Sequence, residues 1–126
     1  MFTRLIACLV LTLSFSQVVS AEDNSADGDR LAECYAVYDA LVGLGDLGKL
    51  PPAETERFKS QREKAKDLAL SQYSREGLDS ENANGQLEGR AEYMREELRD
   101  LHDGSGIYNA DEMRKMASAC DATVGN

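Results

Sequence analysis

The chain has 126 residues and a net charge of −9 at pH 7, with 23 Asp and Glu against 14 Lys and Arg. This length allows one domain, and it excludes an α/β barrel or a dinucleotide-binding domain joined to a substrate domain. The acidic balance disfavours nucleic acid and anionic membrane surfaces as partners, because both would repel the chain, and it favours a cationic protein.

The first 21 residues have the three parts of a secretory signal peptide. Arg4 supplies the positive start, an apolar run covers residues 5–13, and Val19-Ser20-Ala21 is a cleavage pattern. The apolar run is too short to span a membrane, which takes ~20 residues. A lipid-attachment motif at Cys8 is a poor alternative, because the apolar run continues past that residue. We therefore expect cleavage after Ala21 and a periplasmic or secreted protein without a membrane segment.

Cleavage would leave a loose tail, residues 22–26, and one helical domain, residues 27–126. It would remove one basic residue and no acidic one, so that 13 basic and 23 acidic residues give a net charge of −10. Two cysteines would remain, Cys34 and Cys120. An even pair in an oxidising compartment predicts a disulfide.

The composition predicts an all-α fold. Only four Val and Ile residues follow position 21, whereas Ala, Leu, Glu, Arg and Lys, which are good helix formers, are abundant. The first helix should begin at Asp27 or Asp29, either of which can act as its cap. Its apolar positions recur every three or four residues and should form one face (Leu31, Cys34, Tyr35, Tyr38, Leu41 and Val42). Glycines end it (Gly43, Gly45 and Gly48).

The second helix should begin near Pro51 and Pro52 and end near Glu76, before Gly77. Its predicted core face is thin (Phe58, Ala65, Leu68, Ala69 and Tyr73). The third helix should cover residues 80–102, or begin only after Gly85, since glycine weakens a helix interior. Its stripe steps by three and four residues (Ala83, Leu87, Ala91, Met94, Leu98 and Leu101).

The fourth helix has the clearest start signal. Asn109 is a suitable cap, and Glu112 lies at the position that completes a reciprocal capping box, with Tyr108 and Met113 at the staple positions. Its apolar face includes a cysteine (Met113, Met116, Ala117, Cys120 and Val124). Because Cys34 lies early in the first helix and Cys120 late in the last, the sequence predicts a small antiparallel four-helix bundle closed by one disulfide.

The sequence offers little for catalysis or ligand binding. The segments beginning at Asp23 and Ser80 start like calcium-binding loops, but position twelve is Cys34 or Ala91 where a bidentate Glu is required. The single histidine, His102, lacks a Glu at the spacing that di-iron bundles use. We therefore expect no catalytic residue, no metal and no cofactor, and a protein that is not an enzyme.

The charge is unevenly distributed along the chain. Residues 49–77 carry seven bases and five acids, between two acidic segments, residues 22–48 and 78–106. The basic residues of this segment either offset the acids of neighbouring helices or form a binding patch (Lys59, Arg62, Lys64 and Lys66). For the acidic side, we expect the first and third helices to face a basic exported partner, with Glu92 and Glu96 beside the third stripe as contacts.

The export signal, the size, the helicity and the two cysteines resemble small exported helical proteins of Gram-negative bacteria. These include acid-stress chaperones and immunity proteins that neutralise cell-wall amidases. The resemblance transfers no functional residue to this chain. The absence of catalytic motifs, together with the strong negative charge, predicts a protein-binding or inhibitory module. The 23 carboxylates, which would lose charge in acid, make a periplasmic acid-stress chaperone the alternative, and a small-ligand carrier is a more distant one.

Overall fold

The computed structural model describes residues 26–101 and 104–125, which form four helices. They are α1 (Gly28–Asp46), α2 (Pro52–Arg75), α3 (Ser80–Glu97) and α4 (Ala110–Val124). The predicted signal peptide, residues 1–21, lies outside the described residues, as does most of the predicted tail. The all-α prediction is confirmed.

The helices alternate in direction. Tyr73 near the end of α2 lies over Gly28 at the start of α1, so these two helices are antiparallel. The disulfide joins Cys34, early in α1, to Cys120, late in α4, with 5.5 Å between the Cα atoms. The antiparallel four-helix bundle closed by this disulfide is confirmed.

Helix α1 occupies the centre of the bundle. It packs against each of the other three helices, whereas α3 and α4 do not contact each other within the described residues. The sequence predicted one apolar face for α1, but twelve of its nineteen residues are buried, on all sides of the helix. Alanines at positions 32, 36 and 40 are fully buried there. Small side chains of this kind let neighbouring helices approach closely.

The glycines of α1 do not end it where the sequence predicted. Asp27 is the cap, and its carboxylate accepts a hydrogen bond from Arg30 N at 2.8 Å. The helix then continues through Gly43 and Gly45 to Asp46, and the chain turns at Gly48, where φ is +74°. Gly45 is needed for packing, because a Cβ at this position would overlap the side chain of Thr55.

We expect Gly45→Ala to lower the free energy of unfolding by about 1–3 kcal/mol, the usual range for overpacking a core. Thr55 is buried and β-branched, and its hydroxyl donates to Pro51 O at 3.1 Å, so it cannot rotate away without loss. Gly85→Ala is the matched control, because a Cβ there meets open space, and we expect it to stabilise the helix by about 0.5–1 kcal/mol. Denaturant unfolding measures both, and a change of the same sign in the two variants would contradict the close α1–α2 contact.

Helix α2 has the predicted bounds within two residues, and Gly77 follows it at φ +93°. Its core face differs from the prediction. Leu68 is 36% exposed, whereas the polar residues Thr55 and Gln61 are buried. Both polar side chains have hydrogen-bond partners, which makes their burial tolerable.

Helix α3 begins at Ser80, with Asp79 as its cap, and not after Gly85. It ends at Glu97, five residues before the predicted end. Leu98 leaves the helix at ψ 107° because the chain beside it pairs with residue 108: Tyr108 N donates to Glu97 O and Arg99 N to Tyr108 O, both at 2.9 Å. Leu98 is nonetheless buried, as the stripe predicted, and Leu101 is half-buried.

Helix α4 begins with the predicted capping box. Glu112 N donates to Asn109 Oδ1 at 2.8 Å, and Asn109 N donates to the Glu112 carboxylate at 3.5 Å. Met113 is buried and Tyr108 half-buried. Among the residues that the structure describes, no helix is long and apolar enough to cross a membrane.

Candidate protein-binding surface

The side of α3 that points away from the bundle is exposed. The buried residues of α3 are Ala83, Leu87, Ala91 and Met94. At 100° per residue, the opposite side holds Glu81, Gly85, Glu88, Gly89, Glu92, Tyr93 and Glu96, all of them exposed. We call these seven residues the outer α3 face.

Two glycines leave the centre of the outer α3 face without side chains. A Cβ at Gly85 or Gly89 would meet no atom within 4 Å, and the hollow over them is bordered by Tyr93, which is 53% exposed. A flat helix surface with an exposed aromatic ring can contact another protein closely, because aromatic side chains offer a large contact area.

The outer α3 face is acidic because the two arginines beside it are paired with α1. Arg90 Nη2 lies 3.2 Å from Asp29 Oδ1, and Arg95 Nη1 lies 3.2 Å from Asp39 Oδ2. Glu92 and Glu96, the two contacts proposed from the sequence, are both exposed and have no ion-pair partner among the described residues. The negative charge on this face is therefore left for solvent or for a partner.

Two acids of α1 lie close to α3 and are paired, and the expectation that the first and third helices share an acidic surface stays a prediction. Asp39 is only 12% exposed and lies between Arg62 and Arg95. Asp29 is exposed but accepts a hydrogen bond from Tyr73 Oη at 2.8 Å in addition to its pair with Arg90. We therefore centre the candidate surface on α3.

Two basic residues of α2, Arg62 and Lys59, reach acids of α1, while Lys59 also pairs within α2 and Lys64 contacts a backbone carbonyl. Arg62 Nη1 is 3.4 Å from Asp39 Oδ1, and Lys59 Nζ is 3.3 Å from the Glu56 carboxylate and 3.9 Å from that of Asp46. Lys64 Nζ donates to Gly125 O at 3.1 Å. These pairs favour the interpretation that the basic segment offsets neighbouring acids over the interpretation that it forms a patch with Lys66.

A polar cluster that the sequence did not predict joins α4 to α1 and α2 next to the disulfide. Tyr38 Oη donates to Asp121 Oδ1 at 2.7 Å, Gln61 Nε2 donates to the same atom at 2.9 Å, and Arg57 Nη1 donates to Asp121 Oδ2 at 3.0 Å. We call Tyr38, Arg57, Gln61 and Asp121 the Asp121 latch. One sequence signal pointed to it: Gln61 lies three residues after Phe58 and four before Ala65, at a core position of α2.

The hydrogen bonds of the Asp121 latch change the acidity of two groups. Burial alone would raise the pKa of Asp121, but the bonds from Tyr38, Gln61 and Arg57 outweigh it and lower that pKa. Burial, followed by the bond to Asp121, raises the pKa of the Tyr38 hydroxyl. Because the pKa of Asp121 is lower in the folded protein, the latch stabilises the fold above the unfolded pKa of aspartate, and this stabilisation is lost as the pH falls through the folded value.

The segments that resembled calcium-binding loops take other roles. Residues 80–87 lie within α3, so their oxygen atoms do not surround a common point as in a loop. Asp27, from the other segment, caps α1. No cluster of three or more His, Cys, Asp or Glu suited to a metal ion is found in residues 26–101 and 104–125. His102 lies outside the described residues.

The fold and this surface define a disulfide-closed four-helix bundle with one acidic, exposed helix face. Comparison of the chain with known protein families, with characterised proteins and with solved structures gives no match.

Proposed function

We propose that this chain is a small exported, non-enzymatic module that binds a basic exported protein through the outer α3 face, inhibiting it in the manner of an immunity protein. One observation carries the proposal: Glu92 and Glu96 are exposed and unpaired within the described chain, while Arg90 and Arg95 are held by acids of α1. The outer α3 face therefore presents negative charge around an exposed aromatic ring.

Two features support an oxidising, exported compartment. The Cys34–Cys120 disulfide is typical of proteins in an oxidising environment. Together with the signal-peptide pattern of residues 1–21, it supports a mature protein that acts in the periplasm or outside the cell. A basic exported protein would be available to it there.

The rigid bundle suits such binding. Packing against α1 and α2, together with the pairs that Arg90 and Arg95 form with α1, holds α3 in place before the partner arrives, which reduces the entropy lost on binding. The carboxylates would mainly accelerate association, and salt would screen this attraction over ~8–10 Å at physiological ionic strength.

The test is charge reversal on the outer α3 face. We expect Glu92→Lys combined with Glu96→Lys to slow association with a basic exported partner roughly tenfold or more at low salt, because electrostatic steering of this kind raises association rates 10–10³-fold. The unfolding curve should change little, since both side chains are exposed. Partners are first captured from an extract of exported proteins, and their association rates are then measured at low and high salt.

Glu63→Lys combined with Asp67→Lys is the matched control. These exposed residues of α2 have the same four-residue spacing, and their reversal changes the net charge by the same amount. Reversal of Glu63 also removes its exposed pair with Arg62, at 3.5 Å, so the unfolding curve of the control is measured as well. In the control variant, the association rate should stay close to that of the unmodified protein and should keep most of its salt dependence. Equal slowing by the two double variants, or a rate indifferent to salt, would contradict docking through the outer α3 face.

The alternative function, an acid-stress chaperone, has one supporting observation. The Asp121 latch depends on an ionised carboxylate and so weakens in acid. The limited aromatic content of the chain after residue 21, which has one Phe and no Trp, counts against it, because a chaperone needs apolar surface to hold unfolded clients. Suppression of client aggregation at about pH 3 but not at pH 7 would favour this alternative.

A further inference from the structure

The Cys34–Cys120 disulfide cannot be attacked in the closed structure. Cys34 is fully buried and Cys120 is 1% exposed. Thiol–disulfide exchange requires a thiolate to reach one of the two sulfur atoms. Part of the bundle must therefore open before any reductant can react.

The smallest opening that uncovers the disulfide is the last turn of α4. Helix α1 cannot move alone, because it packs against all three other helices. Helix α4 packs against α1 and α2 only, within the described residues, and buries four side chains. Cys120 lies four residues before Val124, where α4 ends, and helix ends are normally the first parts of a fold to open.

The same last turn is held by the Asp121 latch. Asp121, the residue after Cys120, accepts hydrogen bonds from both α1 and α2. Gln61 Nε2 also donates to Gly125 O at 3.0 Å, so one buried side chain holds two points of the turn. Opening the turn would break the hydrogen bonds that the Gln61 amide and the Tyr38 hydroxyl donate to Asp121. The Gln61 side chain is buried, with 7% exposed, so the loss of its acceptor is costly.

We propose that the Asp121 latch controls chemical access to the Cys34–Cys120 disulfide, with the last turn of α4 as the segment that opens. In the open form, a thiolate of a dithiol reductant attacks one sulfur, forms a mixed disulfide and releases the other cysteine as a thiolate, which takes up a proton. The second thiol of the reductant then displaces the remaining cysteine. The protein gains two electrons and two protons, and the reductant becomes a disulfide.

Tyr38→Phe tests this proposal, because it removes one hydrogen bond to Asp121 and keeps the ring. We expect dithiothreitol to reduce the disulfide of the purified exported protein roughly tenfold faster, the effect of losing one hydrogen bond to a carboxylate. The rate is measured under native conditions by alkylating the released thiols and counting them by mass. Asp121→Asn is the second variant. It should also accelerate reduction, and it replaces Tyr38→Phe as the test if that variant does not fold.

Tyr73→Phe is the matched control. It removes an equivalent bond, from Tyr73 Oη to Asp29 Oδ1 at 2.8 Å, which joins α2 to α1 and involves no residue of α4. In the Tyr73→Phe variant, the disulfide should be reduced faster only by the factor by which the equilibrium constant for global unfolding rises. Two results would overturn the proposal: equal acceleration in the Tyr38 and Tyr73 variants after correction for global stability, or no acceleration in the latch variants.

Discussion

Reduction of the Cys34–Cys120 disulfide is expected to lower the free energy of unfolding by about 4–5 kcal/mol. The bridge joins residues 86 positions apart, and the chain-entropy model assigns a loop of that size about 4.6 kcal/mol of unfolded-state constraint. Single domains are typically stable by only 5–15 kcal/mol. The reduced protein should therefore melt roughly 20–35 °C lower, given 4–8 °C per kcal/mol for a domain of this size.

Thermal unfolding with and without reductant measures this effect. The double variant Cys34→Ala, Cys120→Ala should melt near the temperature of the reduced protein, and adding reductant should not change it further. An unchanged melting temperature after complete reduction would show that the bridge adds nothing to an already closed bundle.

Leu41→Ala is expected to cost about 2–5 kcal/mol, whereas Leu68→Ala should cost less than about 1 kcal/mol. The sequence assigned both leucines to the core with equal reason. Leu41 is fully buried on the central helix, where a cavity would have neighbours on every side, and Leu68 is 36% exposed on α2. Denaturant unfolding of the two variants compares the same chemical deletion at two positions.

Similar losses for the two variants would contradict the central position of α1. Equal losses above 2 kcal/mol would mean that Leu68 is buried as the sequence predicted. Equal losses below 1 kcal/mol would mean that α1 has an exposed side at Leu41.

Features that depend on neighbours in the chain were predictable. The bounds of α2 follow from Pro51, Pro52 and Gly77, and the capping box of α4 follows from the spacing of Asn109 and Glu112. The cysteine pair was predictable for a related reason, because the periodicity of two helices placed both cysteines on buried faces.

Features that depend on distant residues were not predictable. Gly45 looks like a helix end, and only the presence of Thr55 beside it shows that it serves packing. Helix α3 ends early because Tyr108, eleven residues after Glu97, pairs with the backbone there. Gln61 can be buried because Asp121, 60 positions further along the chain, gives its amide a hydrogen-bond partner.

The candidate surface shows the same division. The exposure of Glu92 and Glu96 follows from the buried stripe of α3, since the side opposite a stripe faces solvent. The pairing of Arg90 and Arg95 with α1, which leaves this surface acidic, involves residues more than fifty positions away and has no local signal.

The central position of α1 has a consequence for biogenesis. The chain is made from its N-terminus, so α1 is complete before the three helices that cover it, and until they arrive its twelve buried residues are in contact with water. The five-residue connection between α1 and α2 allows these two helices to form a hairpin first, which shields one side of α1. The native disulfide needs Cys120 of α4, so it can form only after the last helix has been made.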